Sequence, residues 1–116
     1  MNEEIINLSF LKSFTGSSPE KMNKYINLFL QHAPLLMHSM EDNLAKEDWP
    51  ALRSSAHSLK PQISYMGIKN GEDLIKTIEL NAGEKTNLLD LPFQISKMKE
   101  ILEQAYPELK KVTGTV

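Results

Sequence analysis

The sequence has no cysteine, only five glycines in 116 residues, and few aromatic side chains. The missing cysteines exclude a disulfide framework, thiolate zinc sites, iron–sulfur clusters and a cysteine nucleophile, and they fit a reducing compartment. An excess of positive charge is also missing: 13 basic against 15 acidic residues give a net charge of −2. No overall field exists to hold a phosphate backbone, so nucleic-acid binding is not expected. Apolar runs such as Pro34-Leu35-Leu36-Met37 end after a few residues, far short of the roughly 20 needed to cross a bilayer. The start, Met1-Asn2-Glu3-Glu4, is acidic where a secretory leader is basic, so no membrane partner and a cytoplasmic location are expected. The motifs of many enzymes are missing too: there is no Gly-rich phosphate loop, no G-x-S-x-G, no H-E-x-x-H and no calcium loop.

What is present is the composition of one ordinary soluble domain, 41% hydrophobic and 24% charged. A chain of this size buries roughly two thirds of its unfolded surface, enough for a core without staples. A single domain over 1–116 is therefore expected, with its core over about 5–106 and a frayed tail over 112–116. Valine is confined to Val112 and Val116, and no stretch alternates apolar with polar for long. Nothing reads as a strand.

Five helical segments can be placed by their punctuation. A short one over Leu8 to Phe14 is closed by Thr15-Gly16. The next starts at Ser17-Ser18-Pro19-Glu20, where serine accepts from free backbone N–H groups, proline suits the first turn and glutamate complements the positive helix end. Its apolar stripe is Met22, Ile26, Phe29, Ala33, Leu36, Met40 and Leu44, passing through Pro34. One long helix kinked at Pro34 is the primary reading, and a break there is the alternative. Asp48-Trp49-Pro50 starts the third helix, with Asp48 as cap and Leu52, Ala56, Leu59, Ile63 and Met66 inward; Gly67 ends it in the left-handed conformation. Asn70-Gly71-Glu72-Asp73 caps a fourth helix with Leu74, Ile75, Ile78 and Leu80 on its stripe, stopped by Asn81-Ala82-Gly83. After a loop over Glu84 to Asn87, Asp90-Leu91-Pro92 opens the last helix, with Ile95, Met98, Ile101, Leu102 and Ala105 inward. Short connections favour antiparallel neighbours. The expected fold is all-α, an antiparallel up-and-down four-helix bundle with a short additional N-terminal helix.

The three histidines are His32, His38 and His57. A helical metal pair wants a separation of three or four residues, not the six between His32 and His38, so no metal site is expected. Those two flank the apolar stripe and read as packing or solvent-facing side chains. His57 differs by geometry. With Leu52 at zero and about 100° per residue, the stripe stays within roughly 60° of the core direction while His57 falls near 140°. Its ring points outward, and Arg53, Lys60 and Ser64, at four before, three after and seven after, share its surface. A neutral imidazole has a lone pair able to attack activated phosphorus, and Lys60 can pair with the arriving dianion. The same geometry also describes a plain solvated histidine on a polar helix face.

The segment from Ala56 to Ile68, Ala56-His57-Ser58-Leu59-Lys60-Pro61 onward to Gly67, resembles the signature of histidine-containing phosphotransfer (HPt) domains. Leu8-Ser9-Phe10-Leu11, Tyr25 to Leu30 through Ala33-Pro34, Asp48-Trp49 and Glu79 fit the same pattern, over about residues 5 to 105. The resemblance implies a four-helix bundle that carries a phosphoryl group on one exposed histidine between receiver-domain aspartates. His57 would be the phosphoacceptor and Lys60 the cation that meets the phosphoryl group. No cofactor of the chain's own is implied, since the receiver brings the magnesium; receiver domains of response regulators or hybrid histidine kinases would be the partners, met by a monomer. Pro61 departs from the pattern, standing where the family commonly has glycine. Proline removes the hydrogen bond to the His57 carbonyl and disfavours helical geometry at Lys60. Either a local kink leaves His57 exposed and active, or access is impaired and the module only binds. Arg53, Ser54, Pro61 and Ser64 ring His57 and are the expected docking face. A phosphocarrier is the leading reading and a non-phosphorylated helical interaction module the alternative. An enzyme using His57 as general base lacks a nucleophile, an orienting carboxylate and a pocket.

Overall fold

The computed structural model describes residues 5–114. The acidic start at Met1 to Glu4 and the Thr115-Val116 end of the expected tail lie outside the described residues. Among the described residues there are five α-helices and no strand: α1 (Ser9–Thr15), α2 (Pro19–Ala45), α3 (Trp49–Tyr65), α4 (Gly71–Glu84) and α5 (Leu91–Thr113), with one 3-10 turn at Leu88–Asp90 before α5. Helix α3 packs against α2 and α4, and α5 also packs against both, while α1 leans on α2. The four long helices thus form a ring around one core.

The helix starts follow the sequence chemistry. Ser18 Oγ accepts from the Lys21 N–H at 3.3 Å, and Asp48 Oδ1 accepts from the Ala51 N–H at 3.2 Å. Each supplies a partner for one of the first-turn donors that a helix leaves free. Helix α2 is continuous through Pro34, so the alternative of a break is overturned. Pro34 is exposed, which puts the missing hydrogen bond on the solvent side, where a helix tolerates it best.

The α3 stripe of Leu52, Ala56, Leu59, Ile63 and Met66 is buried, as are Ile75, Ile78, Ile95, Met98, Ile101, Leu102 and Ala105. On α2, Met37 is buried and Leu36 and Leu44 are only half-buried. Leu80, placed inward from the sequence, is instead 55% exposed, because one helical face cannot hold both Ile78 and its neighbour two residues on.

Three boundaries differ from expectation. Asn70 gives α4 no side-chain cap; it takes a left-handed conformation with φ 66°. That turn brings Gly71 against the core, where an added Cβ would meet Ile63 Cγ2 at 3.0 Å. Asn81 does not stop α4, which runs to Glu84. It is buried and both of its polar atoms are partnered: Nδ2 donates to Gln94 Oε1 at 3.2 Å, and Oδ1 accepts from Thr86 Oγ1 and Asn87 Nδ2 at 3.3 and 3.4 Å. Finally, α5 passes through Pro107 to Thr113, with Leu109 buried and Gly114 closing it at φ 75°. Val112 and Thr113, expected in a frayed tail, stand in its last turn.

The chain before α1 crosses the end of α3. The Asn7 N–H donates to the Gly67 carbonyl at 2.9 Å, and the Lys69 N–H donates to the Ile5 carbonyl at 2.8 Å. Gly67 sits at φ 57°, and a Cβ there would lie 1.9 Å from the Asn7 carbonyl oxygen. Both the conformation and the space require glycine.

Candidate functional site

Helix α3 turns its apolar stripe inward and carries His57 outward, as the 100° step dictates. The His57 side chain is 66% exposed. Lys60, one turn later, is 33% exposed and leans toward α4. There both meet Glu79, whose side chain is only 13% exposed. His57 Nδ1 lies 2.6 Å from Glu79 Oε2, and Lys60 Nζ lies 2.8 Å from Glu79 Oε1. Each carboxylate oxygen therefore serves one partner.

This arrangement fixes the imidazole. An ionised carboxylate accepts only, so the Nδ1 beside it carries a proton and donates. Burial by itself would raise the Glu79 carboxyl, but the hydrogen bonds and charges of Lys60 and His57 outweigh it and hold the group below its ordinary value of 4.5. With Nδ1 protonated, the lone pair of the neutral ring resides on Nε2. The site thus presents an exposed nucleophilic nitrogen, braced from behind by an anion and flanked by an ammonium.

The expected docking residues do not form one uniform ring. Arg53, Ser54 and Pro61 are exposed, and Ser64 is half-buried. Arg53 lies along Gly83 of α4; a Cβ at Gly83 would come within 2.8 Å of its Cδ. Together with Ser54, Lys60, Lys76, Glu79 and Lys85 it lines an open cleft between α3 and α4. Ser64 lines a different cleft, near Asn7 and Phe10. Helix α3 continues through Pro61, and His57 stays exposed with proline in place.

The resemblance places Glu79 in the helix after the histidine with no role; the structure corrects the expectation that no orienting carboxylate stands near His57, since Glu79 is one. It lies 22 residues from His57, beyond the reach of any local spacing rule. The signal available was its place beside Ile78 and one turn after Ile75, which puts a carboxylate at the rim of a packed face. A second feature without a sequence signal is an exposed aromatic group: Phe10 stacks on Phe14 and on Tyr65, with ring centroids 6.1 and 5.4 Å apart, and Phe14 tilts against Tyr25 at 5.4 Å. His32 and His38 are both exposed on α2.

Among the described residues no helix is long and apolar enough to cross a membrane, and no group of three or more His, Cys, Asp and Glu side chains is arranged to hold a metal ion. No curated protein and no solved structure matches the chain. A family model, described as Hpt domain, matches residues 24–108. That span runs from the first turns of α2 to near the end of α5 and contains His57, Lys60 and Glu79. Matching more than two thirds of the sequence, it places this chain in the Hpt domain family.

Proposed function

We propose that the chain is a histidine phosphocarrier in a multistep phosphorelay, with His57 as phosphoacceptor. A phosphotransfer role in phosphorelays follows from the family. The Nε2 lone pair of His57 forms a bond to phosphorus as the acyl P–O bond of a receiver's aspartyl phosphate breaks, and the aspartate carboxylate leaves with the electron pair. The second receiver reverses this. Lys60 pairs with the phosphoryl dianion, and the exposed residues Arg53, Ser54 and Pro61, with half-buried Ser64, form the docking face. The single observation that carries this reading is the exposed ring whose Nδ1 is held by Glu79 at 2.6 Å, which leaves Nε2 free toward solvent.

A convex, open site suits exchange with another protein, whereas a general base acting alone works in a pocket. The chain is on this reading a carrier and not an enzyme, without a cofactor of its own, and the receiver supplies the magnesium. The ring of α2, α3, α4 and α5 supports an antiparallel up-and-down bundle, acting as a cytoplasmic monomer.

The test is transfer itself. Mixed with a phosphorylated receiver domain, the wild-type chain should acquire acid-labile, base-stable phosphate, and a His57→Gln variant should acquire none. A folded wild-type chain that stays unlabelled with every receiver tried would leave the non-phosphorylated interaction module.

A further inference from the structure

The open cleft between α3 and α4 carries more positive charge than the fold uses. Arg53, Lys60, Lys76 and Lys85 line it, with Glu79 and Glu84 as its carboxylates. Lys60 and Glu79 are committed to each other and to His57. Among the described residues no ion pair engages Arg53, Lys76 or Lys85, and Glu84 alone remains to oppose them in the lining. In a chain of net charge −2, this is a local surplus of the opposite sign. We propose that the cleft is a binding site for an oligophosphate, a function that goes beyond the phosphocarrier reading and does not depend on it.

Arg53 has a seat on the opposite helix. Its Cδ and Nε would lie 2.8 and 2.9 Å from a Cβ at Gly83, so the missing side chain is what lets the arginine lie along the last turn of α4. The backbone gives no other reason for glycine. Gly83 stands inside α4 and is not among the glycines with positive φ, and in a helix alanine is the better residue. A residue that weakens its own element marks a second constraint. Here that constraint is room for a guanidinium, whose planar fork meets two phosphate oxygens at once.

The arrangement selects length as well as charge. Lys76 and Lys85 mark the two ends of a stretch of α4 about 13 Å long at 1.5 Å per residue, and Arg53 faces that stretch from α3. One phosphate group cannot reach cations spread over this distance, whereas a chain of three phosphoryl groups meets several of them. Ser54 adds a hydroxyl on the α3 side. The helix ends do not absorb the charge: Pro50, at the start of α3, lines the same cleft as Lys85, the C-cap of α4. The positive end of one helix therefore stands beside the negative end of the other. Glu84 repels any anion at this rim, so the site favours ligands with more than one negative charge. A free inorganic triphosphate and the triphosphate tail of a nucleotide share this chemistry.

Calorimetric titration of the full chain with inorganic tripolyphosphate, in metal-free buffer at low ionic strength, tests the site. The wild type should bind it saturably, and Arg53→Gln should weaken binding at least about tenfold. Gly83→Ala keeps every charge and favours the helix but displaces Arg53, so it should weaken binding too. Lys110→Gln removes one positive charge from the last turn of α5, outside the cleft, and should change the affinity by less than about twofold. Repeating the titration with ATP separates the two sources: ATP bound at least as tightly assigns the tail of a nucleotide, and ATP bound more weakly assigns the free oligophosphate, the site standing in both cases. No saturable binding of tripolyphosphate would overturn the proposal. So would a loss in Lys110→Gln as large as in Arg53→Gln, or equal binding by Gly83→Ala and the wild type. No receiver is present, so failure here leaves the phosphocarrier reading intact, and a chain that never takes label leaves this site intact.

Discussion

Lys60 has two anions to serve, the Glu79 carboxylate 2.8 Å away and the phosphoryl group proposed for His57. Replacing it with alanine should slow phosphoryl transfer while changing stability by no more than about 1 kcal/mol, because the pair is partly solvated. Transfer assays beside a urea titration separate the two effects, and unchanged transfer would remove Lys60 from the mechanism. Glu79 makes a second prediction at this scale. Its folded-state pKa lies below the ordinary 4.5, so its ion pairs stabilise the fold above that value, and the contribution is lost as pH falls through the lower folded value. The stability gap between wild type and Glu79→Gln should therefore close as pH falls below the ordinary carboxylate range; a gap that widens there contradicts the assignment. His57 and Lys60 were accessible to sequence reasoning because they share one turn of one helix. Glu79 enters from sequence only through the resemblance and without a role, because its place beside them depends on how α4 packs on α3.

At the scale of elements, α3 is where pattern and packing agree most closely. Leu59 is completely buried, and Leu59→Ala should cost roughly 2–5 kcal/mol, read from the shift of a chemical-denaturation midpoint. The end of the helix depends on a different constraint. Gly67→Ala would place a Cβ 1.9 Å from the Asn7 carbonyl oxygen at φ 57°, so the crossing segment must move. Hydrogen exchange should show the Asn7 and Lys69 amides losing protection, since they bond to Gly67 and Ile5, while amides in the middle of α3 keep theirs; retained protection at both would show that the segment is held elsewhere. A left-handed glycine after α3 was readable from sequence. The chain passing over it was not, because no propensity encodes which distant backbone fills the space. Asn81 misled for a related reason: Asn favours helix ends when its side chain has no better partner, and here Gln94, Thr86 and Asn87 provide them.

For the whole molecule, length is set by α2, whose 27 residues span about 40 Å at 1.5 Å per residue, matching the longest dimension of 41 Å. A helix that long needs partners along its entire face, and α5 packs beside it, with Leu109 buried near the α5 end. The expected core ends near residue 106, and the residues beyond it are mostly polar. Yet Pro107 is exposed, its missing hydrogen bond faces solvent, and Leu109 is fully buried one turn after Ala105. A chain ending at Tyr106 should therefore lose the packing of Leu109, a loss of about 2 kcal/mol or more, and melt at least about 8 °C lower. Because His57, Lys60 and Glu79 stand on α3 and α4, phosphoryl transfer by the shortened chain should persist well below its melting temperature. Calorimetry and a transfer assay on the same preparation decide the matter: an unchanged melting temperature would restrict the cooperative core to residues before 107, and transfer lost while the chain remains folded would tie the site to the end of α5.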